Sequence, residues 1–249
     1  MVNRTIDDVL ELCRTYLNEN NVTLINNEYL LAKEKHEGQY RKSGDPYIQH
    51  PIEVAYMLAE LHTAPATICA GFLHDILEDT DITKEELTSQ FGSDVVSIVD
   101  GVTKISQLKY MTKEKALAKT HQKILLAMAK DIRVVLVKLI DRVHNMRTLE
   151  FQPVDKQVRI SNETLDLYAP LAHRMGMYRI KAELEDISFK YIDREKYMEL
   201  YNLINSERSA REEDIEAMKF QLSKLLDENN ITGYELRGRI KNIYSLHVR

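Results

Sequence analysis

Residues 131–150, DIRVVLVKLIDRVHNMRTLE, decide what kind of fold this chain adopts. The run Val134, Val135, Leu136, Val137, mostly β-branched, is apolar enough for a buried strand. A strand ending on Asp141 would place an acid where phosphate-loop enzymes of the α/β class hold a metal. That reading requires a GxxxxGK[ST] loop, and the 249 residues contain none. The segment also has neither glycine nor proline, and Asp131 stands where a helix N-cap belongs. It therefore reads as a helix carrying Asp141, and the chain reads as all-α.

The flanking sequence agrees. Ile6, Val9, Leu10, Cys13 and Leu17 keep a helical stripe. A second helix is expected to end near Gly38, before the polar loop QYRKSGDPY. Pro51 and Pro65 suit the first turns of PIEVAYMLAEL and PATICAGFLHDILED. Thr83 with Glu86 forms a capping-box pattern closed by Gly92, and Ser93 suits a cap for SDVVSIVDG. Thr112 suits a cap for a long helix through TKEKALAKTHQKILLAMA. Further helices are expected over 154–174, 178–191 and 194–228. From Asn230 the alternating ITGYELRGRIKNIYSLHVR reads as the opening of an α/β-like stub, and a tail without its partner unit is expected to hold little order.

Composition narrows the function. Hydrophobic residues make up 44% and charged residues 29%, ordinary for a globular protein. No run of about 18 apolar residues predicts a membrane span, and the N-terminus lacks signal-peptide form. Cys13 and Cys69 sit in apolar helical patterns as small buried hydrophobes, not a disulfide pair. These features point to the cytoplasm. A net charge of -5 gives no bulk attraction for nucleic acid. A polyanionic substrate would need local cations or a metal.

GFLHDILEDT, residues 71–80, supplies candidates for that metal. On a helix, His74 and Asp75 lie about 100° apart and reach one ion at a helix edge. Glu78 and Asp79 follow them by four, one turn further on. Acids crowded this way repel unless something positive sits among them. His50, in YIQHP, and Asp141 complete a set of two imidazoles and two carboxylates. Such a mixed set favours a borderline-hard divalent ion such as Mn²⁺ over a thiolate-rich zinc site. An octahedral ion with four protein ligands keeps room for water and a phosphoryl oxygen, which suits phosphate-ester hydrolysis. Singly, His50 reads as a loop residue, Asp141 as a salt-bridge partner of Arg142 or Arg147, and HDILED as an exposed helix end. Their joint occurrence favours the metal. His144 reads equally as a partner to the site or as a core histidine, while His36, His62, His121 and His247 have no partner legible in sequence.

YRKSGDPYIQHP, GFLHDILEDT, VDGVTK, VKLIDRVHNMRTL and YAPLAHRMGMYRIKAELED, in this order, resemble the N-terminal hydrolase region of RelA/SpoT homologue proteins, a branch of the HD-domain phosphohydrolases. The resemblance implies an HD-type helical bundle that removes the 3′-pyrophosphate of ppGpp and pppGpp to give GDP or GTP. It implies Mn²⁺ held by His50, His74, Asp75 and Asp141, and water activated by Glu78 and Asp79, with neither singled out as the base. It assigns Arg41, Lys42 and Ser43 of RKSG, together with Asn145 and Thr148, to the guanosine tetra- or pentaphosphate. GRIKNIYS resembles the start of the synthetase domain that follows in long relatives. The implied organisation is a hydrolase domain over 1–193, connecting helices over 194–229 and a truncated synthetase opening over 230–249, without synthesis. Two other functions stay open: an HD phosphohydrolase for another nucleotide, such as a deoxynucleoside triphosphate, and a non-catalytic alarmone-binding fragment.

Overall fold

The computed structural model describes residues 4–106, 126, 130–206, 208–238 and 241–247, and among these there is no strand. The helix expected after Thr112, and His121 within it, lie outside the described residues. The N-terminal half runs through α1 (Ile6–Arg14), α2 (Glu19–Lys35), α3 (Gln49–Glu60), α4 (Pro65–Leu73), the single turn α5 (Ile76–Asp79), α6 (Lys84–Phe91) and α7 (Ser93–Ser106). The second half holds α8 (Ile132–Arg147), α9 (Val154–Glu163), α10 (Ala169–Arg174), α11 (Tyr178–Ile192), α12 (Arg194–Ser206), α13 (Arg208–Glu228) and the short α14 (Ile243–His247).

The segment that decided the fold is a helix. Asp131 caps α8, its side chain accepting from the Arg133 N–H. Val134, Val135, Val137, Leu139, Ile140, Val143 and Met146 are all buried along it. A helix apolar over this much of its circumference belongs at the centre of a bundle, and α8 packs on α3, α4 and α7. Thr83 and Glu86 form the reciprocal capping box at the start of α6, and Gly92 ends that helix at φ 83°.

Gly71 brings two helices together. A Cβ there would lie 2.6 Å from Leu58 Cδ1 and 3.3 Å from the Ala55 Cα, so α4 meets α3 at backbone distance. That close approach delivers the end of α4 to the start of α3, where His50 sits. Gly101 does the same for α7 and α8: a Cβ would lie 2.6 Å from Val134 Cγ2.

Four features differ from the sequence expectations. HDILED does not ride one unbroken helix: α4 stops at Leu73, His74 and Asp75 form a turn, and α5 restarts with Asp75 at its N-cap. Residues 154–174 are not one helix either. Thr164–Tyr168 form a π turn between α9 and α10, because Pro170 offers no N–H and the Thr164 hydroxyl bonds the Ile160 carbonyl at 2.7 Å. The alternation after Asn230 makes no strand in residues 231–238, since no neighbouring strand is there to satisfy its backbone. The tail is also docked: Asn242 and the Tyr244 N–H bond Asp186 at 3.2 and 2.9 Å. Ile243 packs with Phe189 and Ile204 in a small second core.

Candidate metal centre

Three segments converge: a helix start, the turn after a helix, and a helix middle. His50 comes from the first turn of α3, His74 and Asp75 from the turn after α4, and Asp141 from the middle of α8. His50 and His74 face one another, Nε2 to Nε2, at 3.1 Å. Asp141 Oδ1 lies 3.3 Å from His50 Nε2 and 3.7 Å from His74 Nε2. Asp75 Oδ2 lies 3.0 Å from His74 Nε2 and 3.8 Å from His50 Nε2. His50, His74 and Asp141 are buried and mutually close enough to share one ion. Asp75 is partly exposed and is turned toward His74 and Tyr47.

The ring protons are already committed elsewhere. His74 Nδ1 lies 2.9 Å from the Gly71 carbonyl, which can only accept, so that nitrogen carries the proton. Arg41 can only donate, and its NH1 lies 3.0 Å from His144 Nδ1. His144 Nδ1 is therefore an acceptor, and His50 Nδ1, 2.8 Å away, must donate to it. With His74 neutral, both Nε2 lone pairs point into the same space beside two carboxylates. Lone pairs opposed at that distance repel, and a shared cation removes the conflict. The donor set therefore fits a divalent metal.

The electrostatics agree. Burial, together with Arg41 and His74, lowers His50 to about 4, which keeps it neutral and ligand-ready. Burial also opposes charge on His74, but Asp75 and Asp141 outweigh it and push that imidazole up to about 9. A cation is wanted there, and a proton answers when nothing else does. Burial would raise Asp141, but the Lys138 amine 2.9 Å from its Oδ2 and the two imidazoles hold it well below the usual carboxylate range. Asp75 is likewise held low, chiefly by His74 against the cost of burial.

Glu78 and Asp79 lie on α5, exposed, one turn past the cluster. They line a cleft of about 700 Å³ with Glu34, Lys35, Asp81 and Glu86. Asp79 is joined to the centre through Tyr47, whose hydroxyl lies 2.6 Å from Asp75 Oδ2 and 3.0 Å from Asp79 Oδ2. On the other side of His50, Arg41 NH2 donates to Asn145 Oδ1 at 2.6 Å, and Asn145 Nδ2 donates to Asp141 Oδ1. Lys42 reaches outward to Gln152 Oε1 at 2.9 Å, and Ser43 bonds Asp45. Thr148 is the residue after α8 and returns its hydroxyl to the His144 carbonyl at 3.1 Å. Arg41 and Asn145 thus join the metal cluster, whereas Lys42, Ser43 and Thr148 stand outside it.

Several partners were not anticipated from sequence. Asp141 pairs with Lys138, while Arg142 goes to Glu163 and Arg147 to Glu183. His144 is both buried and a partner of His50. His36 stacks on Tyr47 with ring centroids 4.6 Å apart. A polar residue three before a ligand, as Lys138 and Tyr47 both are, was the available signal on α8 and in the loop.

The family model described as "HD domain" matches residues 29–178, which span every proposed ligand. The chain belongs to the HD domain family. The RelA/SpoT resemblance holds across most of its length. It is 45% identical over 91% of its residues to a "Probable guanosine-3′,5′-bis(diphosphate) 3′-pyrophosphohydrolase" of Synechocystis sp. (strain ATCC 27184 / PCC 6803 / Kazusa). It is 46% identical over 90% of its residues to a "GTP pyrophosphokinase" of Myxococcus xanthus. In both cases it spans 30% of the relative's length, so it matches about a third of these curated proteins. A solved structure described by the words "A metazoan ortholog of SpoT hydrolyzes ppGpp and plays a role in starvation responses" matches at TM-score 0.52 and 26% identity, covering 70% of this chain and 96% of that one. Among the described residues no helix is long and apolar enough to cross a membrane.

Proposed function

We propose that this HD domain removes the 3′-pyrophosphate of ppGpp and pppGpp in the cytoplasm, giving GDP or GTP plus pyrophosphate. The observation that carries it is the pair of facing Nε2 atoms, 3.1 Å apart, flanked by two carboxylates. This is a hydrolytic donor set, and it lies within the portion shared with relatives named for that hydrolysis. His50, His74, Asp75 and Asp141 would hold the ion, and two nitrogens with two oxygens suit Mn²⁺. A divalent ion there supplies positive charge that acidifies water and polarises a phosphoryl oxygen.

The protein groups divide the remaining work. Arg41 and Lys42 stand on the α8 side and supply the only cations offered to the substrate's phosphates by the loop before α3, with Ser43, Asn145 and Thr148 beside them for the nucleoside. Glu78 and Asp79 stand on the other side, at an acidic cleft that repels phosphate and admits water. One of these carboxylates takes a proton from the attacking water. The water oxygen bonds to the phosphorus next to O3′, the O3′–P bond breaks, and O3′ leaves with a proton as a hydroxyl. Residues 1–193 would form the hydrolase unit, 194–229 a connecting region, and 230–249 the opening of a further domain.

The test is anion-exchange analysis of ppGpp incubated with the chain and Mn²⁺. GDP plus pyrophosphate, lost on chelation and in His74→Ala, is the expected result. Consumption of dGTP with ppGpp left intact would overturn the substrate, and ppGpp binding with no products in Mn²⁺ would overturn the catalysis.

A further inference from the structure

Arg41 stands in the middle of a chain of hydrogen bonds that links two of the proposed metal ligands. Starting from the ligand Asp141, Oδ1 accepts from Asn145 Nδ2, and Asn145 Oδ1 accepts from Arg41 NH2 at 2.6 Å. Arg41 NH1 then donates to His144 Nδ1 at 3.0 Å, and the same nitrogen accepts from His50 Nδ1 at 2.8 Å. The two ends of the chain, His50 Nε2 and Asp141 Oδ1, are both acceptors and lie 3.3 Å apart. Both ends of this path are proposed metal ligands, and its middle is a residue that the family resemblance assigns to the nucleotide.

The guanidinium is held in place to do this. The Arg41 N–H bonds the Asp45 carbonyl at 2.9 Å, and the Gly44 N–H returns to the Arg41 carbonyl at 3.0 Å, so the loop is a closed turn. The side chain is half-buried and forks onto two consecutive residues of α8. One nitrogen fixes His144 as an acceptor, which in turn keeps the His50 proton on Nδ1 and its Nε2 lone pair free. The other orients the Asn145 amide so that its N–H₂ faces Asp141. A planar fork satisfies both at once; a single ammonium does not.

We propose that Arg41 is a positioning residue for the metal, binding the ligands His50 and Asp141 into one frame through His144 and Asn145 before any nucleotide arrives. This rests on the metal reading above and adds a role for Arg41 separate from substrate contact. It also predicts a direction opposite to simple electrostatics. Removing a cation near a cation site should tighten metal binding by relieving repulsion, whereas removing a strut should weaken it. Lost outer partners of metal ligands typically weaken affinity by 10–100-fold.

The experiment is calorimetric titration of Mn²⁺ into the nucleotide-free chain, comparing wild type with Arg41→Ala and Arg41→Lys, each checked for native helicity by circular dichroism. About tenfold weaker Mn²⁺ binding in both variants is expected, because lysine restores the charge but not the fork. Unchanged or tighter binding in a folded Arg41→Lys, or in a folded Arg41→Ala, overturns the positioning role while leaving the metal centre standing. A wild-type chain that binds no Mn²⁺ overturns the metal reading itself, and this inference with it.

Discussion

The Tyr47 hydroxyl stands between two acids with different tasks, 2.6 Å from Asp75 Oδ2 and 3.0 Å from Asp79 Oδ2. Asp75 is a proposed metal ligand, and Asp79 is one of the pair proposed to activate water. A phenol has one proton to give, so it donates to one of the two carboxylates at a time and the pair share it. The ring is wedged by His36 on one face and meets His50 edge-on at 6.1 Å. Tyr47→Phe retains that packing and loses only the bridge. Its kcat for ppGpp should fall about tenfold with KM within twofold of wild type, as expected for a group that orients reacting partners. Steady-state kinetics decide it; an unchanged kcat would remove Tyr47 from the site.

Lys138 is the only ammonium at the cluster among the described residues, its Nζ 2.9 Å from Asp141 Oδ2. Removing it takes away the strongest counter-charge of a buried carboxylate, at a cost on the order of 3 kcal/mol. A bound cation would offset much of that. Lys138→Met should therefore melt well below wild type in chelator, and should gain more than wild type on adding Mn²⁺. Thermal unfolding with and without metal checks both, and equal metal-induced shifts in the two proteins would contradict the argument.

Glu28, on α2, is fully buried, and neither carboxyl oxygen has a hydrogen-bond partner. Burial pushes this carboxyl up to about 8 from an ordinary 4.5. The folded state therefore keeps a proton that the unfolded state loses. Below pH 4.5 both forms are protonated and nothing is lost. From about 4.5 to about 8 the unfolded state binds fewer protons, so stability falls as pH rises, and above 8 the full cost is in place. Glu28→Gln should flatten this slope and raise Tm at pH 8 by on the order of 5 °C. Melting curves at pH 5 and pH 8 test it; a parallel pH dependence in the two proteins would count against it.

Gly71 makes a prediction about the frame. Alanine there places a Cβ 2.6 Å from Leu58 Cδ1, and the backbone of Ala55 limits retreat on the other side. The overpacking should cost about 1–3 kcal/mol, read as a lower denaturation midpoint. Because Gly71 also presents the carbonyl that fixes His74, Mn²⁺ affinity should fall with it.

How much of this was legible in the sequence follows from where each interaction lies along the chain. The helix Ile132–Arg147 was legible because its cap, its periodicity and its lack of breakers all agree locally. That His50, His74 and Asp141 would gather was legible because acids and imidazoles in apolar segments are rare enough to be conspicuous. The turn at His74–Asp75 was not, since Phe72-Leu73-His74-Asp75-Ile76 contains no breaker. The π turn at Thr164–Tyr168 was marked only by Pro170. The bridges from Tyr47 to Asp75 and from Arg41 to His144 cross 28 and 103 residues of chain, and no local pattern specifies a pairing across such distances.

The most direct test of the central claim is the electron spin-echo spectrum of Mn²⁺ bound to the chain, which reports nitrogen nuclei in its coordination sphere. The account predicts couplings from two imidazole nitrogens, with one lost in His50→Ala and one lost in His74→Ala. Bound Mn²⁺ that couples to no imidazole, or a spectrum unaltered by both substitutions, would contradict it.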